Sequence, residues 1–239
     1  MIDNKNENKV TKNIVQKHIE GNQIICSVDL EGIYLPFKKY LIDFKDDKLY
    51  GAFISNVERL VRTSKFYKQY LAYLHNDMEI NRCAFFSNIT DEDAGVAFHH
   101  GPIFNLYNYC DIVTRSMLED KDCKGITSFD VADKVMELHT RNLVSLVPLS
   151  TSVHKAAHNN KRIGKDAFLG PQFIDIRSSF GDFFGFIREY NESLSSVEIN
   201  MIFNYYKEFE KHIIKGDDND FYFDQFVKIF KYKDFSQKS

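Results

Sequence analysis

No stretch of this 239-residue chain is both long and uncharged enough to cross a bilayer, which excludes a protein built on membrane-spanning helices. An apolar leader is also missing: Met1 to Lys17 is polar and rich in Asn and Lys, so no secretory signal is read there. The expectation is a soluble protein of the cytoplasm with no membrane partner. Cysteine is sparse, and Cys26, Cys83, Cys110 and Cys123 form no C-x-x-C pair. That spacing excludes a disulfide framework and a zinc ribbon, leaving reduced and mostly buried thiols. The glycine patterns of nucleotide chemistry are lacking as well, with no P-loop, no G-x-S-x-G and no dinucleotide-binding glycines. Nor is there an excess of positive charge: 31 Lys and Arg stand against 34 Asp and Glu, a net of −3. A broad basic face for coating nucleic acid is thereby excluded, and any phosphate contact must come from a local patch.

What the chain does have is apolar and aromatic content, 44% and 15%, enough for a packed core and too much for a disordered chain. Residues 1–20 read as a polar flexible arm, and residues 21–239 as one α+β domain, mostly helical. Gln23–Val28 and Gly32–Phe37 are strand-like. From Ala52 to about His75 the apolar residues follow a helical stripe through Val57, Leu60, Val61, Tyr67, Tyr70 and Leu74. The acidic run Asp91-Glu92-Asp93 is better explained as a capping turn than as a metal site, and Val96-Ala97-Phe98 as a strand ending at His99-His100 before Pro102. Two amphipathic helices follow, from about Asn105 to Glu119 and from a cap at Thr127 or Ser128. Leu143–Leu149 is β-rich, and Ser150-Thr151-Ser152 offers caps for a short helix from Val153 to about Asn160. The chain then becomes loop-like from Gly164 through Gly170-Pro171. Beyond a Phe-rich segment (Phe180, Phe183, Phe184, Phe186), a helix from Ser195 or Ser196 to about Ile214 places Val197, Met201, Ile202, Tyr205, Phe209 and Ile213 on one stripe. Phe221–Phe235 alternates aromatics with charges and should pack back as a helix or edge element. The acidic run at Asp217–Asp220 lacks the Gly and Glu of a calcium loop.

Five of the eight histidines lie between positions 99 and 158. His99-His100 close a strand, while His154 and His158, four apart on a helix, project from one face. Imidazole nitrogens bind a divalent ion at about 2.0–2.1 Å, and an i,i+4 pair supplies two of them without strain. A lone H-x-x-x-H is a weak signal. The order strand, His-His, Gly-Pro, second strand, capped helix with H-x-x-x-H is far more specific.

Those segments, "VAFHHGP" and "NLVSLVPLSTSVHKAAHNNK", resemble the HNH or ββα-metal (His-Me finger) nucleases, above all the variant in colicin-type DNases. The resemblance covers an HNH-like core at about 96–161. Such domains are common in phage and mobile-element genes, which suits the Asn-, Lys- and Phe-rich composition. The resemblance implies that His99, His154 and His158 hold one divalent metal ion, with Zn, Mg or Mn all open, and that His100 is the general base. It further implies hydrolysis of DNA phosphodiester bonds, with RNA as an alternative substrate. A catalytically weak or inactive nucleic-acid-binding or interaction protein, keeping a structural metal on the same scaffold, is the competing expectation.

One position departs from the family pattern. The Asn that orients the general base stands, in the family, where this chain has Ser145; the nearest Asn is Asn142, three residues earlier. Asn142, His139 and Ser145 therefore all stay open as the orienting residue. The segment between the strands also carries two helices more than is usual. Lys155, Lys161, Arg162 and Lys165 gather around and after the H-x-x-x-H helix, a local patch for a phosphate backbone. Arg59, Arg62 and Lys65 are additional candidates for that patch, although such residues are more often plain helix surface.

Overall fold

A computed structural model describes residues 15–20, 23–28, 38–86, 88–123, 125–158, 162–163, 167–168 and 179–210. The chain divides into two units, Met1–Lys38 and Lys39–Ser239. In the first, strand β1 (Val15–Glu20) pairs antiparallel with β2 (Gln23–Val28), from Val15 opposite Val28 to Glu20 opposite Gln23. Strand β1 thus falls within the stretch expected to be a polar arm. Polarity is a poor guide here because ladder bonds are made by the main chain, which polar residues carry as well as apolar ones. Gly32–Phe37, the tail from 211 onward and the run Asp217–Asp220 lie outside the described residues.

The second unit begins with α1 (Asp47–Thr63), capped by Asp46, whose carboxylate accepts the Lys48 and Leu49 N–H groups at 2.8 and 3.2 Å. Helix α2 (Lys65–Asn76) follows after a single residue. The helix expected from Ala52 to His75 is therefore two. Ser64 divides them: its backbone is extended, its N–H closes α1 on Leu60 and Val61, and its Oγ accepts the Tyr67 N–H at 3.0 Å. A hydroxyl that bonds the backbone locally competes with the helix ladder, so one Ser can end one helix and cap the next.

Helix α3 (Asp91–Ala94) is the capping turn before β3 (Val96–His100); Thr90 and Asp93 cap it reciprocally, and Asp91 accepts the Val96 N–H at 2.6 Å. That bond lowers the Asp91 carboxyl below its ordinary range. Helices α4 (Leu106–Glu119) and α5 (Ser128–Thr140) start at reciprocal caps, Asn105 with Asn108 and Thr127 with Asp130. Helices α1, α4 and α5 pack on one another, and α2 rests on α5. Their apolar stripes, among them Ile54, Val57, Val61, Leu106, Tyr109, Val113, Val131, Val135 and Leu138, form the main core. Each fully buried aliphatic or aromatic side chain contributes about 1.5–3 kcal/mol.

Strand β4 (Leu146–Ser150) pairs antiparallel with β3, Val96 opposite Ser150 and His100 opposite Leu146, and runs directly into α6 (Thr151–His158), which lies against both strands. Leu146 faces the main core, whereas Val147 and Leu149 join Cys83, Val153 and Ala157 in a second small cluster beneath α6. Phe180 pairs with Leu146 through two backbone bonds of 2.7 and 2.8 Å. The region expected to be loop from Gly164 contains a short ladder between β5 (Arg162–Ile163) and β6 (Ala167–Phe168).

Helix α7 (Phe183–Glu189) buries Phe183, Phe184 and Phe186. Helix α8 (Ser196–Glu210) buries Ile202, Tyr205 and Tyr206; its expected end near Ile214 lies outside the described residues. Val197, expected on the buried stripe, is 63% exposed, while Glu198 is 2% exposed. The reason is an ion pair: Arg115 of α4 donates to Glu198 at 2.9 Å and to Asp111, and so rotates that face of α8 inward. The described fold is α+β and mostly helical, with small two-stranded antiparallel sheets.

Candidate functional site

Strand alternation separates the two adjacent histidines. His99 lies opposite Val147 and His100 opposite Leu146, so each shares a face with its partner: His99 with the α6 side, His100 with the main core. On the α6 side, His99, His154 and His158 converge, one ring nitrogen from each lying within 4.8 Å of the others. The Nε2 atoms of His154 and His158 are 3.2 Å apart. Two nitrogens bound to one tetrahedral ion stand about 3.3 Å apart, given bonds of about 2.0–2.1 Å. A hydrogen bond explains that pair equally well; it does not explain the third ring, whose Nδ1 is buried without a hydrogen-bond partner among the described residues. Gly101 makes room for this ring, since a β-carbon there would stand 3.1 Å from His99 Cδ2.

The protonation states suit ligation. Burial, then the neighbouring His154 and His158, push His99 down to about 4, and burial also lowers His154. Neutral imidazoles with free lone pairs are the metal-binding form. Three imidazole donors are also the number that leaves a tetrahedral ion one open position, unlike the four of a closed structural site. The residues present therefore fit a divalent ion.

His100 is 4% exposed and its Nε2 lies 3.1 Å from Nε2 of His139. His139 is fully buried, and its Nδ1 lies 2.7 Å from the Val135 carbonyl oxygen one helical turn back. A carbonyl only accepts, so Nδ1 of His139 carries the hydrogen. Burial pushes His139 down to about 4, leaving its Nε2 a bare acceptor. His100 must then donate through Nε2, and its own lone pair resides on Nδ1. Burial holds His100 well below its ordinary value, with His139 adding to the effect. Tyr67 stacks on His100 with centroids 6.0 Å apart, and Tyr67 and Tyr70 meet His139 edge-on.

Of the three residues open as the orienting group, His139 makes the contact. Asn142 does not: it is an exposed helix terminator with φ 56°. Its N–H bonds the His139 carbonyl at 3.0 Å while the Leu143 N–H bonds Leu138 at 2.9 Å, the paired closure of a helix whose next residue is left-handed. Asn tolerates that conformation. Ser145 supports the turn instead, its Oγ donating to the Gly101 carbonyl at 2.6 Å.

The triad and His100 line one cleft of about 370 Å³, together with Glu58, Arg62, Tyr107 and Met201 among others. Of the expected basic patch, Lys155 is exposed on α6, the Arg162 backbone lies in β5, and Lys161 and Lys165 lie outside the described residues. Arg59 and Lys65 do not line the cleft. Arg62, one of the additional candidates, does; it sits on α1, 37 positions before His99, and no local pattern placed it beside the triad. Asp91, Glu92 and Asp93 join no metal-binding group among the described residues. No helix among them is long and apolar enough to cross a membrane.

The chain belongs to the bacteriophage G278-like virion protein family, whose model matches residues 1–236. No curated protein and no solved structure matches it.

Proposed function

We propose that the protein is a metal-dependent, HNH-type endonuclease that hydrolyses DNA phosphodiester bonds. The single observation carrying this reading is the convergence of His99, His154 and His158 on a strand–strand–helix unit whose cleft also holds His100. The three imidazoles would hold one divalent ion; their nitrogen donors favour Zn, with Mn or Mg as turnover alternatives. When bound, the ion supplies positive charge to the phosphodiester and its leaving oxygen. His100 takes the proton of the attacking water at Nδ1, the position its bond to His139 leaves unprotonated. His139 holds that tautomer, and Ser145 fixes the turn that follows His100. The family description, virion protein, supports action from the phage particle in place of the cytoplasmic location expected from sequence.

A second reading has one observation in its favour: His100 is so deeply buried that the scaffold could serve binding alone, keeping a structural metal. Plasmid nicking with and without chelator, beside His100→Ala, separates the two. Chelator-sensitive nicking that His100→Ala abolishes supports the nuclease. Equal nicking by both proteins, or none by the metal-loaded wild type, overturns it.

A further inference from the structure

We propose that Arg62, held by Glu58, forms a phosphate-binding site beside the histidine triad; this rests on the nuclease reading and assigns part of its substrate contact to α1, outside the strand–strand–helix unit. Arg62 and Glu58 both line the cleft that contains His99, His154 and His158. Glu58 grips one edge of the guanidinium, accepting from Nε at 3.0 Å and Nη2 at 2.9 Å. The Nη1 edge has no hydrogen-bond partner among the described residues, so a preorganised donor is left for a ligand.

Charge selects the ligand. Arg62 is the Lys or Arg among the cleft's lining residues, and Glu58 offsets its charge. Three neutral imidazoles would leave the full double charge of a bound divalent ion uncompensated. The loaded cleft therefore carries an excess of about two positive charges, with one guanidinium edge and one coordination position open. A phosphodiester, with one negative charge and two nonbridging oxygens, matches both. Arg59, three residues earlier, donates instead to Asn56 at 2.7 Å and lies outside the cleft.

The test uses the full chain carrying His100→Ala, loaded with Zn²⁺ or Mn²⁺, and a short fluorescein-labelled DNA duplex read by anisotropy across a salt series. Adding Arg62→Ala is expected to weaken binding about tenfold and to reduce the salt slope by about one. Arg59→Ala is expected to bind as the parent does. Calorimetry is expected to give the same metal affinity with and without Arg62→Ala, which separates loss of the phosphate contact from loss of the ion. Equal duplex affinity and salt slope for Arg62→Ala would overturn the Arg62 assignment while leaving the nuclease reading intact. Failure of the metal-loaded wild type to bind or cut DNA would overturn the nuclease reading, and this inference with it. Intact thermal melting of Arg62→Ala, whose side chain is 44% exposed, confirms that the comparison is between folded proteins.

Discussion

His99 and His100 are neighbours in sequence and opposites in environment. His99 faces α6, where a partly exposed His154 and an exposed His158 meet it at the wall of a cleft. His100 faces the main core, where the buried helix-terminal His139 and Tyr67 meet it, with Tyr70 packed on His139 behind. One peptide unit thus delivers one imidazole to an open polar cluster and another to a closed aromatic one. On the proposed reading, a small strand divides labour: metal ligation needs several lone pairs converging from outside, whereas a base needs one lone pair fixed from behind.

The comparison breaks most visibly if activity does not follow His100. His100→Ala should lower the nicking rate by about 10²–10⁴-fold, the usual worth of a positioned base, while metal content per chain, read by atomic absorption, stays near that of wild type. His154→Ala should do the reverse in metal content, with retained zinc falling to background after dialysis. Wild-type metal retention in His154→Ala would break the triad assignment.

Stability sharpens the same contrast. His139→Ala removes a fully buried side chain and strands the buried His100 donor, which should cost about 2–4 kcal/mol in urea unfolding. His139→Gln, able to accept the same bond, should recover part of that loss and part of the nicking rate. In the metal-free protein, His99 and His139 are held near 4 by burial, below the ordinary value of an unfolded chain, about 6.5. Between those values the unfolded chain binds protons that the native chain refuses. Stability from both groups is therefore fully present above about pH 6.5 and is lost as pH falls toward 4, by about 1.4 kcal/mol per pH unit for each histidine. Urea midpoints unchanged between pH 7 and 5 would contradict their burial as neutral rings. The smallest effect belongs to Asn142. Asn142→Gly should alter stability by less than about 1 kcal/mol and leave nicking unchanged, whereas Asn142→Val should destabilise by about 1 kcal/mol through its left-handed backbone.

Much of the local structure was legible. The cap at Thr127, the helix start near Asn105, the capping turn at Asp91–Asp93, the strand at Val96–His100 and the i,i+4 face of His154 and His158 all rest on short-range patterns. Asn142, one of the three residues left open as the orienting group, carries a short-range pattern of its own. An Asn one residue beyond a helix-capping Arg carries its own helix-stop signal, and that signal outweighs any role on the following strand. The division of α1 from α2 at Ser64 was hidden because the apolar stripe continues across it. Arg62, Glu58 and His139 could not be placed beside the histidines by spacing, since their positions depend on how α1 and α5 pack against β3 and β4.

Sequence alone determined which histidines sit on which elements, because helix and strand periods fix side-chain direction from a handful of neighbours. Tertiary structure decided which of those residues meet: that His99 joins the α6 pair while His100 turns to His139, and that an arginine from another helix faces them both. Those choices come from the packing of distant apolar faces, whose burial sets the relative placement of elements that no local pattern relates.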